Sequence, residues 1–504
     1  MTYPPTKPRN FNKLLLPLLW FMAGTALLLS SSGATAATLE QFLSRIKSSH
    51  PYMKREAIGP EVDEAARQQL AGDKDWILRI TPNARHTESS LAQPGQPESA
   101  TIYGTRMSLE KTFWATGARL RFTADTLYAD QTWGDRLTGP QTRPPGGGNA
   151  QNPGPISEAQ YQTGVGVSIS QPLMQNRGGA QDRVLYEAAE YQVEGSQAKT
   201  HENQKDFLLQ MAESFLDWAL AQERVQIARE RLKEEQEAMT HVGAITKPGG
   251  GTPQVAALDA ARAEDAVMSA RRNLALAEAV MKSLRARLAE LAQNPSMNNE
   301  SAELSLYETG AIPSAEKAEK MAIRQSGILR SLMAQKKQLT TMGAGLEDKS
   351  DPELTLNLGA GLKGEDPDYS QSLGMEKQEW NASLIFVYPI GNNSATQEVR
   401  KNRLQIMRME EDIRVARLDL SALVKKLITR IEETDKALSV SREHVAAAAR
   451  RAGEEGRMYS SGKGDLALAI LSRDNKEKAR ALLAETSAER WKLKLALDAA
   501  LGAI

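Results

Sequence analysis

The sequence predicts an α+β chain in which one unit, a set of strands followed by a long helical hairpin, occurs twice. Three observations predict it: short segments of alternating apolar and polar residues, long proline-free stretches with apolar residues three and four positions apart, and the same order of both in each half. A few strands cannot close a barrel alone, and helices this long must bury their seams. The pattern therefore favours an oligomer that pools strands into one barrel and helices into one hollow cylinder.

The N-terminus has the composition of a secretory signal peptide. Lys7, Arg9 and Lys13 precede the apolar run 14–29, and small residues follow up to Ala36, where we expect cleavage. An uncleaved anchor helix is the alternative reading, because the run is barely long enough to span a bilayer. Either reading places the mature chain outside the cytoplasm.

The composition narrows the class of protein further. The 63 basic and 63 acidic residues cancel, so no net field attracts nucleic acid. The chain has no cysteine, so packing or oligomerisation must hold an exported protein together without disulfides. No later stretch has the roughly 18 apolar residues of a membrane-spanning helix, so a mature chain that spans a membrane is expected to do so as a β-barrel.

In the first half, strands come before helices. Alternation predicts strands at 76–90, 106–114, 118–129 and 161–171. A Gly/Pro-rich loop at 139–155 precedes the last of them, and a helix is expected from 180 to about 241. A glycine-rich break leads into a second helix that ends near 293 and carries a heptad seam. The seam residues are Leu274, Ala277, Met281, Leu284, Leu288 and Leu291.

The second half repeats this order. Strands are predicted at 354–362 and 380–388, and a helix at 395–459 is followed by a final helix that ends near 502. The expected seams are Ile413, Ala416, Leu420, Leu423 and Leu427 in the first helix, and Leu493, Leu497 and Leu501 in the second. Alternation alone fits a barrel wall and a half-buried soluble sheet equally well.

The strand-to-helix junctions indicate a duplication. The sequence SISQPLMQNRGGAQDR (168–183) corresponds to IFVYPIGNNSATQEVR (385–400), with Pro172 and Pro389 lying 217 positions apart. Proline suits a strand end, where no ladder donor is needed. We therefore expect a signal peptide at 1–36, a first repeat at 37–310 with strands at about 76–171 and a hairpin at about 180–293, and a second at 311–504 with strands at about 354–389 and a hairpin at about 395–502.

These junctions, together with the hairpin tips HVGAITKPGGGTPQVAALDAARAE and YSSGKGDLALAILSRDNKEKAR, carry a resemblance. Over essentially the whole mature sequence the chain resembles the TolC family of outer-membrane efflux and secretion proteins. The resemblance implies a homotrimer in the Gram-negative outer membrane, with four strands per chain in a shared twelve-stranded barrel above a periplasmic α-helical tunnel. It also implies a periplasmic adaptor, an inner-membrane pump and a passive role as the exit channel of a tripartite efflux or type I secretion system.

The resemblance implies that the two hairpin tips are the sites where the adaptor docks. They are Val242, Gly243, Ala244 and Ile245 in the first hairpin, and Tyr459, Ser461, Gly462 and Lys463 in the second. A plain turn is the alternative, since glycine ends helices everywhere. Three features depart from the family: the inserted KPGGG of the first tip, Leu468 and Leu471 where some members have acidic residues, and strands at 106–129 that exceed two per repeat. Those strands either extend the barrel rim or lie on its periplasmic side.

The sequence offers no enzyme constellation. Its five histidines are scattered without metal-ligand spacing, and neither a nucleophile elbow nor a phosphate loop occurs, so we expect no catalytic, cofactor or metal site. A non-transporting periplasmic coiled-coil scaffold remains the alternative to a channel. Two interpretations remain for four aromatic residues, a girdle at the membrane surface or ordinary packing in the sheet. These residues are Trp114, Trp133, Tyr369 and Trp380.

Overall fold

The computed structural model describes residues 36–88, 99–132, 157–245, 253–308 and 310–504. The strands are β1 (Ala36–Thr38), β2 (Ile77–Glu88), β3 (Ser99–Phe113), β4 (Ala118–Thr132), β5 (Ser157–Pro172), β6 (Ser301–Glu303), β7 (Glu353–Asp366) and β8 (Lys377–Val387). The helices are α1 (Leu39–Ser49), α2 (Pro51–Leu70), α3 (Ala180–Ile245), α4 (Pro253–Leu291), α5 (Ala315–Gln325), α6 (Gly327–Lys349), α7 (Tyr369–Ser372), α8 (Asn393–Ser460) and α9 (Leu466–Ala500).

The larger sheet joins the two halves of the chain. In the described residues it has six strands in the order β2-β3-β4-β5-β7-β8, and every neighbouring pair is antiparallel. The halves meet where β5 pairs with β7, with Val167 opposite Ala360. A separate two-stranded parallel pair, β1 with β6, ties the start of the described chain to the segment after α4.

The register gives this sheet two different faces. Opposite residues share a face, so the alternation of each strand lines up with that of its neighbours. One face carries apolar rows such as Leu78, Leu109, Leu120, Ile169 and Leu358. The other carries Arg79, Ser108, Arg121, Ser168 and Gly359.

The helices pack lengthwise around α3. Helices α2 and α6 contact its first part, α4 and α9 contact its later part, and α8 lies against α6 and α9. The main core sits where α1, α3, α4 and the end of α9 meet, and it includes Phe42, Ile46, Phe215, Trp218 and Leu288. None of the helices in the described ranges combines the length and apolar character needed to cross a bilayer.

The predicted seams are largely where the helices bury apolar residues. Leu493, Leu497 and Leu501 are buried in a cluster with α8 and α5. The prediction for α8 was wrong at Leu423, which is 45% exposed, whereas Val424 is fully buried. Both residues are apolar, and the step from Leu420 to the next core position is four residues rather than three, as a period of 3.6 permits.

Both strand-to-helix junctions use left-handed backbone and are held by the end of α6. Asn176 and Asn392 have positive φ values of 60° and 35°. The amide of Asn176 donates to Asp348 Oδ2 at 2.8 Å, and the Asn392 side-chain amide donates to the Ser350 carbonyl at 2.9 Å. Pro172 is the last residue of β5, and Pro389 follows β8 by two residues. The two junctions therefore lie side by side at one end of the sheet.

Four sequence expectations fall wholly or mainly outside the described residues: the signal peptide up to residue 35, the loop at 139–155, Trp133 and the inserted KPGGG. Of the other candidate girdle residues, Tyr369 and Trp380 are 46% and 82% exposed. Trp114 is 7% exposed, and its ring packs edge-on against Tyr186 with centroids 5.4 Å apart. Trp114 is therefore an ordinary packing residue at the foot of the sheet.

Candidate functional site

The two hairpin tips lie at the ends of α3 and α8, at the opposite end of the helical body from the sheet. Val242, only 2% exposed, packs with Ala263 of α4 and Leu466 of α9. Tyr459 and Ile470 pack around the edge of this group. Each hairpin thus contributes residues to one small core, and the two predicted tips are brought together by direct contact.

The first tip differs from its expected form. Helix α3 continues through Val242 and Gly243 to Ile245, so these residues form a last helical turn rather than a connecting turn. The apolar contacts of Val242 support the helix here, and Pro248 is the first residue that disfavours its continuation. The connection itself falls within residues 246–252, outside the described ranges.

The second tip is a glycine helix cap. Helix α8 ends at Ser460, and Gly462 adopts φ +72°. The Lys463 amide donates to the Met458 carbonyl at 3.0 Å, and the Gly462 amide donates to the Tyr459 carbonyl at 2.9 Å. These two bonds are the Schellman arrangement, which favours glycine at the left-handed position. The local sequence is thus accounted for by capping, and any docking role is additional to it.

Charged side chains fix the start of α9 beside α4. The Asp465 carboxylate accepts the Ala467 amide at 2.8 Å and so caps α9. Arg262 lies 3.5 Å from Asp465 and 3.4 Å from Asp259. Burial raises the pKa of Tyr459, and the neighbouring Asp259 carboxylate adds to that increase. At neutral pH the hydroxyl of this tyrosine is therefore protonated and lies among charged side chains. Leu468 and Leu471, which lie where some members of the family have acidic residues, are half exposed.

Above the tips, a buried ion cluster joins α3 to α9. Glu235 is 1% exposed and accepts two bonds from Arg473, each 3.0 Å long. Arg231 lies 2.7 Å from Glu235 and 3.2 Å from Asp474. Burial raises the pKa of Glu477, an effect that the nearby Arg231 opposes. Because a buried charge without its partner is costly, these contacts hold the two helices in one relative position.

The sequence prediction missed this cluster, although a signal for it exists. Glu235 lies seven residues after Ala228 and seven before Val242, and both of those are buried on the same helix face. A glutamate at a seam position, with Arg231 four residues earlier, indicates a buried ion pair rather than a solvated face. Among the described residues, no group of three or more histidine or acidic side chains is arranged to hold a metal ion.

Comparison with solved structures gives the class of fold. The chain superposes on the outer-membrane channel OprN with a TM-score of 0.65 and 14% identity, covering 92% of this chain and 90% of that one. It matches the open state of the Neisseria gonorrhoeae MtrE outer-membrane channel at 0.61 with 16% identity, covering 92% and 88%. For the Campylobacter jejuni CmeC outer-membrane channel the values are 0.62 and 13%, with 98% and 94% covered.

The protein has the fold of these outer-membrane channels over nearly its full length. The resemblance to the TolC family that the junctions and tips carry is confirmed at the level of the fold. No protein-family model matches the chain, and no curated protein matches its sequence.

Proposed function

We propose that the protein is a passive outer-membrane exit channel of a tripartite efflux or type I secretion system. In this proposal three copies share one barrel in the Gram-negative outer membrane, and their helical hairpins form a tunnel in the periplasm. The repeats 37–310 and 311–504 each supply strands to the barrel and one hairpin to the tunnel. The channel carries out no chemistry and consumes no energy.

The two-faced sheet is the observation that carries this proposal. Its apolar face has no covering layer within the described chain: Leu78, Phe122, Leu384 and Phe386 are between 42% and 62% exposed. A soluble sheet buries such a face, whereas a barrel in a membrane exposes it to lipid and turns the polar face to a water-filled interior. A coiled-coil scaffold has no use for an exposed apolar face of this kind.

The hairpin tips support the proposed mode of opening. They form one small core at the far end of the helices, and the Glu235 cluster holds α3 to α9 just above it. We take this packed arrangement as the closed state. An adaptor protein, bound to an inner-membrane pump, opens the channel by binding better to a separated arrangement of the tips and so shifting the equilibrium.

Membrane fractionation tests the central proposal. The protein should remain with the outer membrane after osmotic shock, require detergent for extraction, and migrate in unheated SDS gels as an oligomer that boiling dissociates. Release as a soluble species by osmotic shock would contradict the channel and would favour the periplasmic scaffold.

Adaptor capture tests the tips separately. In Gly243→Glu and Gly462→Glu, a bulky charge at the tip should lower recovery of a co-purifying adaptor and pump about tenfold, equivalent to roughly 1.4 kcal/mol, while the oligomer stays intact. Gly453→Glu is the matched control, because Gly243 and Gly453 are both helical glycines with open space where a side chain would start. Equal recovery from all three variants would remove the tips from the mechanism.

A further inference from the structure

The number of strands in the sheet differs from what the family resemblance implies. The first half of the chain supplies four strands, β2 to β5, and the second half supplies β7 and β8. A chain of the family supplies four in all. Strands β2 and β3 lie beyond β4 and β5 at one side of the sheet, and we call them the additional strands; residues 106–129, which were expected at the rim or on the periplasmic side, span the later part of β3 and most of β4.

We propose that β2 of one chain pairs with β8 of the next, so that three chains close a barrel of eighteen strands instead of twelve. This inference rests on the proposed function, from which it takes the trimer and the membrane. It adds the interface at which the chains meet and the resulting width of the exit.

The apolar face continues across the additional strands without interruption. Leu78 and Ile80 of β2 lie opposite Leu109 and Met107 of β3, which in turn lie opposite Phe122 and Ala124 of β4. Leu78 and Ile80 are 60% and 54% exposed, as much as the apolar residues of β8. A hairpin that lay at the rim or in the periplasm would face water and would have no reason to carry this row.

A row of aromatic rings also reaches the additional strands. Tyr103 of β3 stacks on Tyr128 of β4 at 6.3 Å, Tyr128 contacts Tyr161 of β5 at 4.9 Å, and Tyr161 contacts Tyr369 of α7 at 5.5 Å. Outer-membrane barrels place such rows at the membrane surface. From Tyr128 to Leu120 the strand covers about 26 Å, or about 20 Å of membrane thickness after a tilt of about 40°. One membrane boundary therefore includes β3.

The opposite face of the additional strands is polar, as a channel interior requires. Arg79, Asn83 and Arg106 lie on the same face as Thr123 and Ser168. This face also contains a cross-strand ion pair, in which Arg121 lies 3.0 Å from Glu110 of β3. The apolar faces of β2 and β3 thus point to the same side of the sheet as those of the other strands, and their polar faces point to the opposite side.

The turn between β3 and β4 is built into the foot of the wall. Arg183 of α3 donates to the carbonyls of Trp114 and Gly178 at 2.9 and 2.6 Å. Gln171 donates to the Thr116 carbonyl at 2.9 Å. A side chain at Gly117, where φ is +73°, would begin 2.5 Å from the Asn176 carbonyl. These contacts tie the turn to the first strand-to-helix junction, so β3 ends and β4 begins at the level where β5 ends.

Strand direction allows the proposed closure. Within the described residues, β2 and β8 are the two open edges of the sheet, and each of the other strands is paired on both sides. Six alternating strands make β2 and β8 run in opposite directions, so the pairing between chains is antiparallel, like the five pairings described within this sheet. An open edge of this length invites pairing, and closure removes it.

Closure with eighteen strands widens the exit. Adjacent strands lie about 4.8 Å apart and tilt by about 40°, which gives a backbone cylinder about 36 Å across, against about 24 Å for twelve strands. The cross-section at the outer membrane is therefore roughly twice that of a twelve-stranded barrel.

Cysteine pairs test the interface, and the cysteine-free chain makes every introduced thiol informative. Each of Leu78→Cys, Ile80→Cys and Ala84→Cys is combined with each of Trp380→Cys, Ala382→Cys and Leu384→Cys, which together sample neighbouring registers on the apolar face. After oxidation, at least one combination should yield a ladder on SDS gels that ends at three chains and collapses on reduction. The single-cysteine parents and the unheated oligomer band control for folding.

A matched set of pairs tests the alternative. Leu120→Cys, Phe122→Cys and Ala124→Cys on β4, combined with the same β8 positions, should not link chains, because β3 and β5 occupy both sides of β4. Linking through β4, or a stable trimer linked by neither set, would overturn the eighteen-stranded barrel and leave the proposed function intact. A ladder that ends at another number would overturn the trimer. The absence of any detergent-stable oligomer would instead overturn the proposed function itself.

Discussion

Helices α3 and α8 each follow the strands of their half of the chain and are nearly equal in length, with 66 and 68 residues. Their surroundings differ. Helix α3 has neighbours on both sides within the chain, and its residues Phe215 and Trp218 are completely buried. Helix α8 buries Val424 and Ile431, but it exposes apolar residues on another face, including Leu418 at 65%.

This difference shows which side of the molecule is covered by the chain itself and which side lacks neighbours. Three residues of α8 are exposed: Leu404 by 56%, Val415 by 55% and Leu418 by 65%. They fall on one face of the helix, because Val415 and Leu418 lie about three and four turns after Leu404. The sheet repeats the same contrast, since β4 and β5 are paired on both sides and β8 is open on one. One lateral edge of the molecule, formed by α8 and β8, is therefore suited to a second copy.

The largest expected effect separates the two helices directly. Phe215→Ala empties a fully buried site that contacts Phe42 and Trp218, and it should lower the free energy of unfolding by about 3–5 kcal/mol. Leu418 is 65% exposed, so Leu418→Ala removes little buried surface within the chain and should change that quantity by less than about 0.5 kcal/mol. Denaturant titration in detergent, followed by helical circular dichroism of the dissociated chain, measures both.

Leu418→Ala should nevertheless weaken the oligomer. The protein concentration at which half of the chains are dissociated should rise relative to the unchanged chain. An oligomer that tolerates Leu418→Ala fully would show that this face of α8 does not meet another copy.

A second contrast concerns charged residues. Glu235→Gln leaves the buried Arg231 and the largely buried Arg473 beside a neutral amide, and it should cost about 3 kcal/mol, because Arg473 loses its charged partner. Glu411→Gln on α8 breaks an exposed pair with Arg414, and a cost of less than about 1 kcal/mol is expected. The same denaturant titration compares the two. Equal costs would mean that the Glu235 cluster is hydrated and does not hold α3 to α9.

Much of the architecture could be predicted, because its signals are local. Alternation identifies strands, heptad spacing identifies the long helices, and the proline junctions indicate a duplication. The limits appear where the deciding contact is distant. Val424 and Leu423 are equally apolar, so only packing in the cluster with α5 and α9 selects Val424. The first seven residues of β3, from Ser99 to Thr105, lack clear alternation, and pairing with β2 and β4 brings them into the strand.

The candidate site was predictable in position but not in form. Glycine and the change in composition locate both tips. Whether a glycine ends a helix or continues it depends on partners: Gly462 is a cap, whereas Gly243 stays helical beside the buried Val242. The ion cluster around Glu235 joins residues about 240 positions apart, a pairing that charge spacing along one helix does not reveal.

The smallest predicted difference is the one between the two strand-to-helix junctions. Gly179 and Gly391 both have positive φ, at 67° and 91°, so alanine at either site strains the backbone by about 1 kcal/mol. At Gly179 a side chain would also begin 2.0 Å from the Trp114 carbonyl, whereas at Gly391 the nearest neighbour is 3.9 Å away. Gly179→Ala should therefore cost about 2–3 kcal/mol, and Gly391→Ala about 1 kcal/mol. The melting temperatures of the two variants in detergent give the comparison. The extra cost at Gly179 arises from its contact with the turn between β3 and β4. Equal melting temperatures would therefore mean that this turn does not pack against the first junction and does not hold the additional strands in the barrel wall.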